Sequence, residues 1–141
     1  MANIITTPRP PLNIFDVVRV TADDNANGTK IYESPIYRIP ASGPTAQRDV
    51  RTAAILTNMI VSNLSAGVAT ASVWVIDKDE AQFFLAVEVP VAADGYVKID
   101  LDKQVLKSEE SIFVRMGAGQ TAEIHLSFVL NQREEFVVIE P

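Results

Sequence analysis

From Ala122 to Leu130 the sequence reads AEIHLSFVL, and its apolar residues fall on every second position. Ile124, Leu126, Phe128 and Leu130 share one face, while Glu123, His125 and Ser127 share the other. Successive side chains of a β-strand point to opposite faces, so this is the pattern of a strand with one side in a core. The same period recurs over residues 13–22, 30–40, 52–63, 67–77, 81–90, 95–101 and 111–116. Turn-forming clusters separate these runs: DDNANG, ASGP, LSAG, DKDE, AADG and GAGQ. Pro35 interrupts the second run and marks it as an edge or a bulge.

The alternation also predicts faces. Leu56, Asn58 and Ile60 oppose Ile55, Thr57, Met59 and Val61. Val68, Ser72, Trp74 and Ile76 oppose Ala69, Ala71, Val73 and Val75. Phe83, Leu85, Val87 and Val89 form one face, and Val97, Ile99 and Leu101 another. LSAG, between two long strands, reads as the loop of a hairpin. Residues 101–111, LDKQVLKSEES, come nearest to a helical turn. The predicted fold class is all-β, an antiparallel β-sandwich of jelly-roll or Ig-like strand order. Val73, Val75, Phe84, Ile99, Val114, Ile124 and Leu126 are the expected core.

At 141 residues the chain is one domain long. The expected organisation is an extended N-terminal arm over 1–13, the sandwich over 14–131, and a C-terminal arm or strand over 132–141. Pro8, Pro10 and Pro11 favour extended backbone that cannot enter a central ladder. FVVIE near the C-terminus reads as a strand-like piece, and residues 39–51 as a polar connector. The net charge of −6 disfavours a phosphate backbone or an anionic membrane as partner. With no cysteine there is neither a disulfide framework nor a thiolate metal site. The first residues lack the pattern of a signal peptide, and no run is long enough to span a membrane, so a product made in the cytoplasm is expected.

Residues with chemical potential are few. His125 is the only histidine, and it alternates outward without a nucleophile motif nearby. Asp23, Asn25, Asn27 and Gly28 match the front half of a calcium loop. The bidentate Glu should then stand at Ser34, whereas the nearest one is Glu33. An ordinary turn at 23–28 is the simpler reading. Glu109–Glu110 and Glu134–Glu135 are adjacent pairs, which a strand would point to opposite faces. Arg115–Glu123 holds a Gly-rich turn without the lysine of a phosphate loop. Trp74 and Tyr96 could stack on sugars, though a lone strand tryptophan more often packs between sheets. No catalytic, cofactor or metal residues are therefore expected.

Within residues 53–131 the sequence resembles a pattern common in small structural proteins of tailed bacteriophages. Asn63 closing a strand, VPVAADG at 89–95, KQVLKSEESIFVRM at 103–116 and IHLSFVL at 124–130 carry the resemblance. It departs at KSEES, where that pattern has Gly-Asp. The resemblance implies a non-enzymatic β-sandwich of the virion, most simply a capsid decoration subunit, otherwise a neck or tail accessory protein. Its partners would be other virion proteins and further copies of itself, a trimer being the leading form. A carbohydrate- or receptor-binding sandwich is the alternative, and exposed aromatics such as Tyr32, Tyr37 and Tyr96 would serve it.

Overall fold

The computed structural model describes the backbone of residues 12–39 and 45–138, and the side chains of residues 13–37 and 51–132. The arm expected over 1–13 lies almost wholly outside the described residues, as do 139–141. The described chain forms ten strands: β1 (Leu12–Ala22), β2 (Thr29–Glu33), β3 (Ile36–Ile39), β4 (Thr45–Asn63), β5 (Ala69–Ile76), β6 (Gln82–Val91), β7 (Tyr96–Asp100), β8 (Val105–Lys107), β9 (Ser111–Met116) and β10 (Ala122–Val138). No helix occurs among the described residues. The connector expected over 39–51 is strand from Thr45 onward, and the helical turn expected over 101–111 is a turn, the short β8, and a second turn.

The strands form two antiparallel sheets. The first runs β1-β10-β4, with β7, β8 and β3 successively lining the far side of β4; the second runs β2-β9-β5-β6. The pairing is nested: β5 with β6, β4 with β7, β2 with β9 and β1 with β10. A long hairpin with these pairs, rolled so that successive pairs fall in alternate sheets, is a jelly roll. The all-β antiparallel sandwich expected from alternation is therefore present, and the strand order is the jelly-roll one.

The core lies between the sheets. Leu56, Met59, Val61, Ile124 and Leu126 of the first sheet are sealed from solvent with Val73, Ile112 and Val114 of the second. Alternation in β10 holds from Ala122 to Leu130, with Ala122, Ile124, Leu126, Phe128 and Leu130 all buried. In β4 it does not. Asn58 pairs with Ser127 but Leu56 pairs with Phe128, leaving Thr57 as the extra residue of a β-bulge. The phase flips there, so that Leu56 and Met59 both face inward, contrary to the strict period. The turn after β7 receives the bulge: Leu101 N–H donates to Thr57 O at 3.4 Å, and Leu56 N–H to Gln104 O at 2.7 Å.

β6 departs further. Ala71 pairs with Val89, Val73 with Ala86 and Trp74 with Phe84, so two irregularities interrupt the ladder. Glu88 sits at φ 49° in one of them, and its N–H is met by Ser72 Oγ at 3.0 Å. Phe83, Leu85, Val87 and Val89 consequently do not share a face. Phe84, expected in the core, is 58% exposed. Each bulge is set by the partner strand's register, which local alternation does not encode.

LSAG is likewise no hairpin. β4 belongs to the first sheet and β5 to the second, so the loop arches across the sandwich. The buried side chain of Asn63 pegs it. Its Nδ2 donates to Gly67 O at 2.7 Å and lies 3.2 Å from Val91 O and Ala92 O, while Oδ1 accepts Ser65 N–H at 2.8 Å. Asn63→Ala leaves these carbonyls unmet and should cost about 2–3 kcal/mol in denaturant titration. Asn63→Asp turns an acceptor toward them and should cost at least as much; a neutral result for both would contradict the peg. Leu126→Ala should cost about 2–5 kcal/mol by cavity formation. Its neighbour His125→Ala should cost less than about 1 kcal/mol, and equal losses would contradict the face assignment.

Candidate functional site: the outer faces of the sandwich

Strand register fixes which residues stand side by side on each outer face. Beyond the row Asn13–Asn131–Ala53–Lys107, four more rows run across β1, β10 and β4 to β7 or β8. They are Phe15–Val129–Ile55–Val105, Val17–Ser127–Asn58–Asp100, Arg19–His125–Ile60–Lys98 and Thr21–Glu123–Ser62–Tyr96. Phe15 is 83% exposed, Val17 52% and Tyr96 72%. Beside Phe15 and Val17 lies a shallow depression of about 490 Å³ that reaches Thr57 and Ser127. Thr57 Oγ1 donates to Ser127 O at 2.9 Å, so the bulge helps to shape it.

The outer face of the second sheet carries an aromatic row, Lys30–Phe113–Trp74–Phe84. Phe113 and Trp74 stack with centroids 6.0 Å apart and planes 7° apart, and Phe84 leans on Trp74 at 5.6 Å. Lys30 Nζ stands 6.0 Å from the Phe113 ring centre. Trp74 is thus buried, at 4% exposure, but on the outside of its sheet and not between the sheets as expected. Its cover is the turn at 23–28. A Cβ at Gly28 would lie 2.4 Å from Trp74 Cζ2, and Gly28 holds φ 77°. The Nε1 of Trp74 is buried without a hydrogen-bond partner among the described residues.

That turn is built by its own polar groups. Asp23 Oδ1 accepts Asn25 N–H and Asn25 Oδ1 accepts Asn27 N–H, each at 3.0 Å. Asp24 Oδ2 accepts Gly119 N–H at 2.8 Å, tying the turn to the Gly-rich loop of 117–120. Ser34, where a calcium loop has its bidentate Glu, is fully buried and bonds Thr52 Oγ1 at 2.7 Å. The side-chain oxygens of Asp23, Asp24 and Asn25 thus hold backbone N–H groups.

The remaining candidate residues do not converge. His125 Nε2 meets Glu123 Oε1 at 2.9 Å on the first outer face. A cleft of about 620 Å³ opens at the end of the sandwich, between the turns at 77–80 and 107–110. Asp77, Asp79, Glu109 and Glu110 line it with Arg51, Lys78 and Lys107. Asp77 Oδ1 accepts Asp79 N–H and Ala81 N–H, and Glu110 Oε1 accepts Lys107 N–H at 2.7 Å. Asp77 and Glu110 thus fasten turns. The side chains of Glu134 and Glu135 lie outside the described residues. Among the described residues no three metal-ligating side chains come together, and no helix is long and apolar enough to cross a membrane.

No protein-family model matches this chain, and no curated protein matches it. Among solved structures it is similar to a chain in the structure of infectious bursal disease virus Gt strain. That similarity has a TM-score of 0.33 and 12% identity, over 90% of this chain and 33% of the other. A chain of the Gx strain structure gives TM-score 0.33 and 14% identity over 94% and 37%. A mutant VP2 protein of the same virus, in T=1 particles, gives TM-score 0.28 and 11% identity over 93% and 37%. This chain spans about a third of the length of those viral chains. Likeness of this degree carries no argument about function.

Two measurements test the aromatic face. Gly28→Ala drives a methyl into the indole and forces alanine to positive φ. It should lower stability by about 1–3 kcal/mol and shift tryptophan emission; unchanged emission would contradict the contact. Glu33 accepts Lys30 Nζ and Ser111 Oγ, both at 3.1 Å. The Lys30 hydrogen bond chiefly, then that from Ser111, holds its carboxyl below the usual range despite some desolvation. A lowered folded pKa gives stability that is present above the ordinary value and lost as pH falls through the folded one. Glu33→Gln should therefore melt slightly below wild type at neutral pH and converge with it in acid. A gap that widens in acid would contradict the assignment.

Proposed function

We propose that this chain is a non-enzymatic structural protein of a tailed-phage virion, docking on the capsid as a decoration subunit. The observation that carries the reading is the exposure of large apolar side chains on both outer faces of a well-packed sandwich. Phe15, Val17, Phe84 and Val87 are each more than half exposed, and such side chains mark contact surfaces where they cluster. Asp77 and Glu110, in the cleft at the end of the sandwich, fasten turns, and His125 is paired with Glu123 on an outer face. The resemblance over 53–131 supports the same reading. Jelly rolls serve viral capsids and lectin domains alike, so the fold agrees with the role without deciding it. Sugar binding is the less supported reading: Tyr32 packs on Phe128, and Tyr37 and Tyr96 pair with opposite ends of β4, opposite Val50 and Ser62.

Antibody labelling of purified phage particles tests the proposal, with binding of the recombinant chain to particles lacking it as a second readout. Regular labelling of heads and saturable binding are expected. Labelling at the neck or tail would replace decoration by an accessory role. Absence from particles, together with retention on immobilised glycans, would overturn the virion reading.

A further inference from the structure

Of the asparagines in the chain, only Asn27 precedes a glycine. It stands third in the four-residue turn that Gly28 N–H closes on Asn25 O at 2.9 Å. Asn27 is exposed, and the hydrogen bonds that build the turn use its backbone N–H and not its carboxamide. Glycine stands at 28 for a reason unconnected with Asn27. Its φ of 77° favours glycine, and a Cβ there would run into the Trp74 ring. A side chain on the residue after an asparagine shields that residue's backbone nitrogen from the neighbouring carboxamide. The packing of Trp74 therefore strips this shield from Asn27.

We propose that Asn27–Gly28 is a site of self-modification, at which the asparagine deamidates in the folded protein with water as the only co-reactant. The Gly28 nitrogen gives its proton to solvent base and attacks Cγ of Asn27. A C–N bond forms, the carboxamide nitrogen leaves as ammonia, and a five-membered succinimide closes. Water then opens the ring at one of its two carbonyls. One opening leaves aspartate. The other leaves isoaspartate, in which the main chain runs through the former side chain.

The Gly28 N–H bond to Asn25 O must open before the attack. A single bond of this kind in an exposed turn holds opening back by about tenfold at most. Asp23 and Asp24, which tie the turn to Asn25 N–H and Gly119 N–H, lie outside the ring that closes. The imide nitrogen carries no hydrogen, so the bond to Asn25 O is lost in the succinimide. Isoaspartate then lengthens the main chain beside Gly28, and either product sets another carboxylate near Asp23 and Asp24. The cover over Trp74 is thereby redrawn. Trp74 is buried beneath it, so its emission reports the change. The inference concerns the covalent fate of this turn and goes beyond the virion role.

The full chain, kept folded in mildly alkaline buffer, is followed by peptide mass mapping, by labelling with an isoaspartyl methyltransferase and by tryptophan emission. The peptide holding Asn27 should convert well ahead of those holding Asn58, Asn63 and Asn131. It should give two products of equal mass, one of which accepts a methyl group. Emission should shift with the same time course. Asn27→Gln, whose carboxamide would have to close a larger ring, should keep both its mass and its emission, and Asn27→Ser, which has no carboxamide, should do the same. Conversion at 27 no faster than at the other asparagines, or only after denaturation, would overturn the proposal. So would a single product, conversion that leaves emission untouched, or an equal shift of emission in both variants.

Discussion

The pairing of β4 with β10 is the constraint on which the rest of the molecule depends. It runs from Asn63 opposite Ala122 to Thr45 opposite Val138 and joins the longest strands of the chain. β1 completes one side of this ribbon, and β7, β8 and β3 line the other in succession. With β10 fixed beside β4, the nested pairs inside them have only one way to roll. Backbone hydrogen bonding is satisfied across the layer, and the inward residues of β4 and β10 must meet β5 and β9. The bulge at Thr57 keeps both halves of β4 facing inward, while its neighbour changes from β8 to β7.

A body of this kind leaves its chemistry on the outside. The core is aliphatic apart from Phe128 and the Tyr32 ring packed on it, and Asp77 and Glu110 at the end of the sandwich fasten backbone turns. Two features break the usual economy of a sheet exterior. One is the aromatic row on the second sheet, with Trp74 roofed by Gly28. The other is the apolar corner of β1. Trp74 anchors a face that carries Phe84 outward, so a single stack couples the 23–28 turn to the shape of that face.

Much of this was legible in the sequence. Alternation gave Ile124, Leu126, Phe128 and Leu130 of β10 as inward, because that strand is regular where it borders the core. Turn clusters located most strand boundaries. What was not legible depended on partners distant along the chain. Thr57 bulges because Ser127 and Phe128 pair around it, and no feature of the β4 sequence announces that. LSAG has the composition of a hairpin loop, but whether the flanking strands pair or part company is decided by β7, β9 and β10. Trp74 was assigned to the space between sheets because its burial from outside needs a turn contributed by β1 and β2. The outer faces were visible as alternation, but their apolar corners emerged only once β1 and β6 proved to be edges.

The proposed role puts the contact surfaces of this chain on its exposed outer faces at β1 and β6 and not in its cleft. Amide hydrogen exchange, compared between dilute free chain and chain bound in its assembly, measures this most directly. New protection is expected along Leu12–Ala22 and Gln82–Val91, with the turns at 77–80 and 107–110 unchanged. Protection confined to those turns, with both edges exchanging as freely as before, would contradict it.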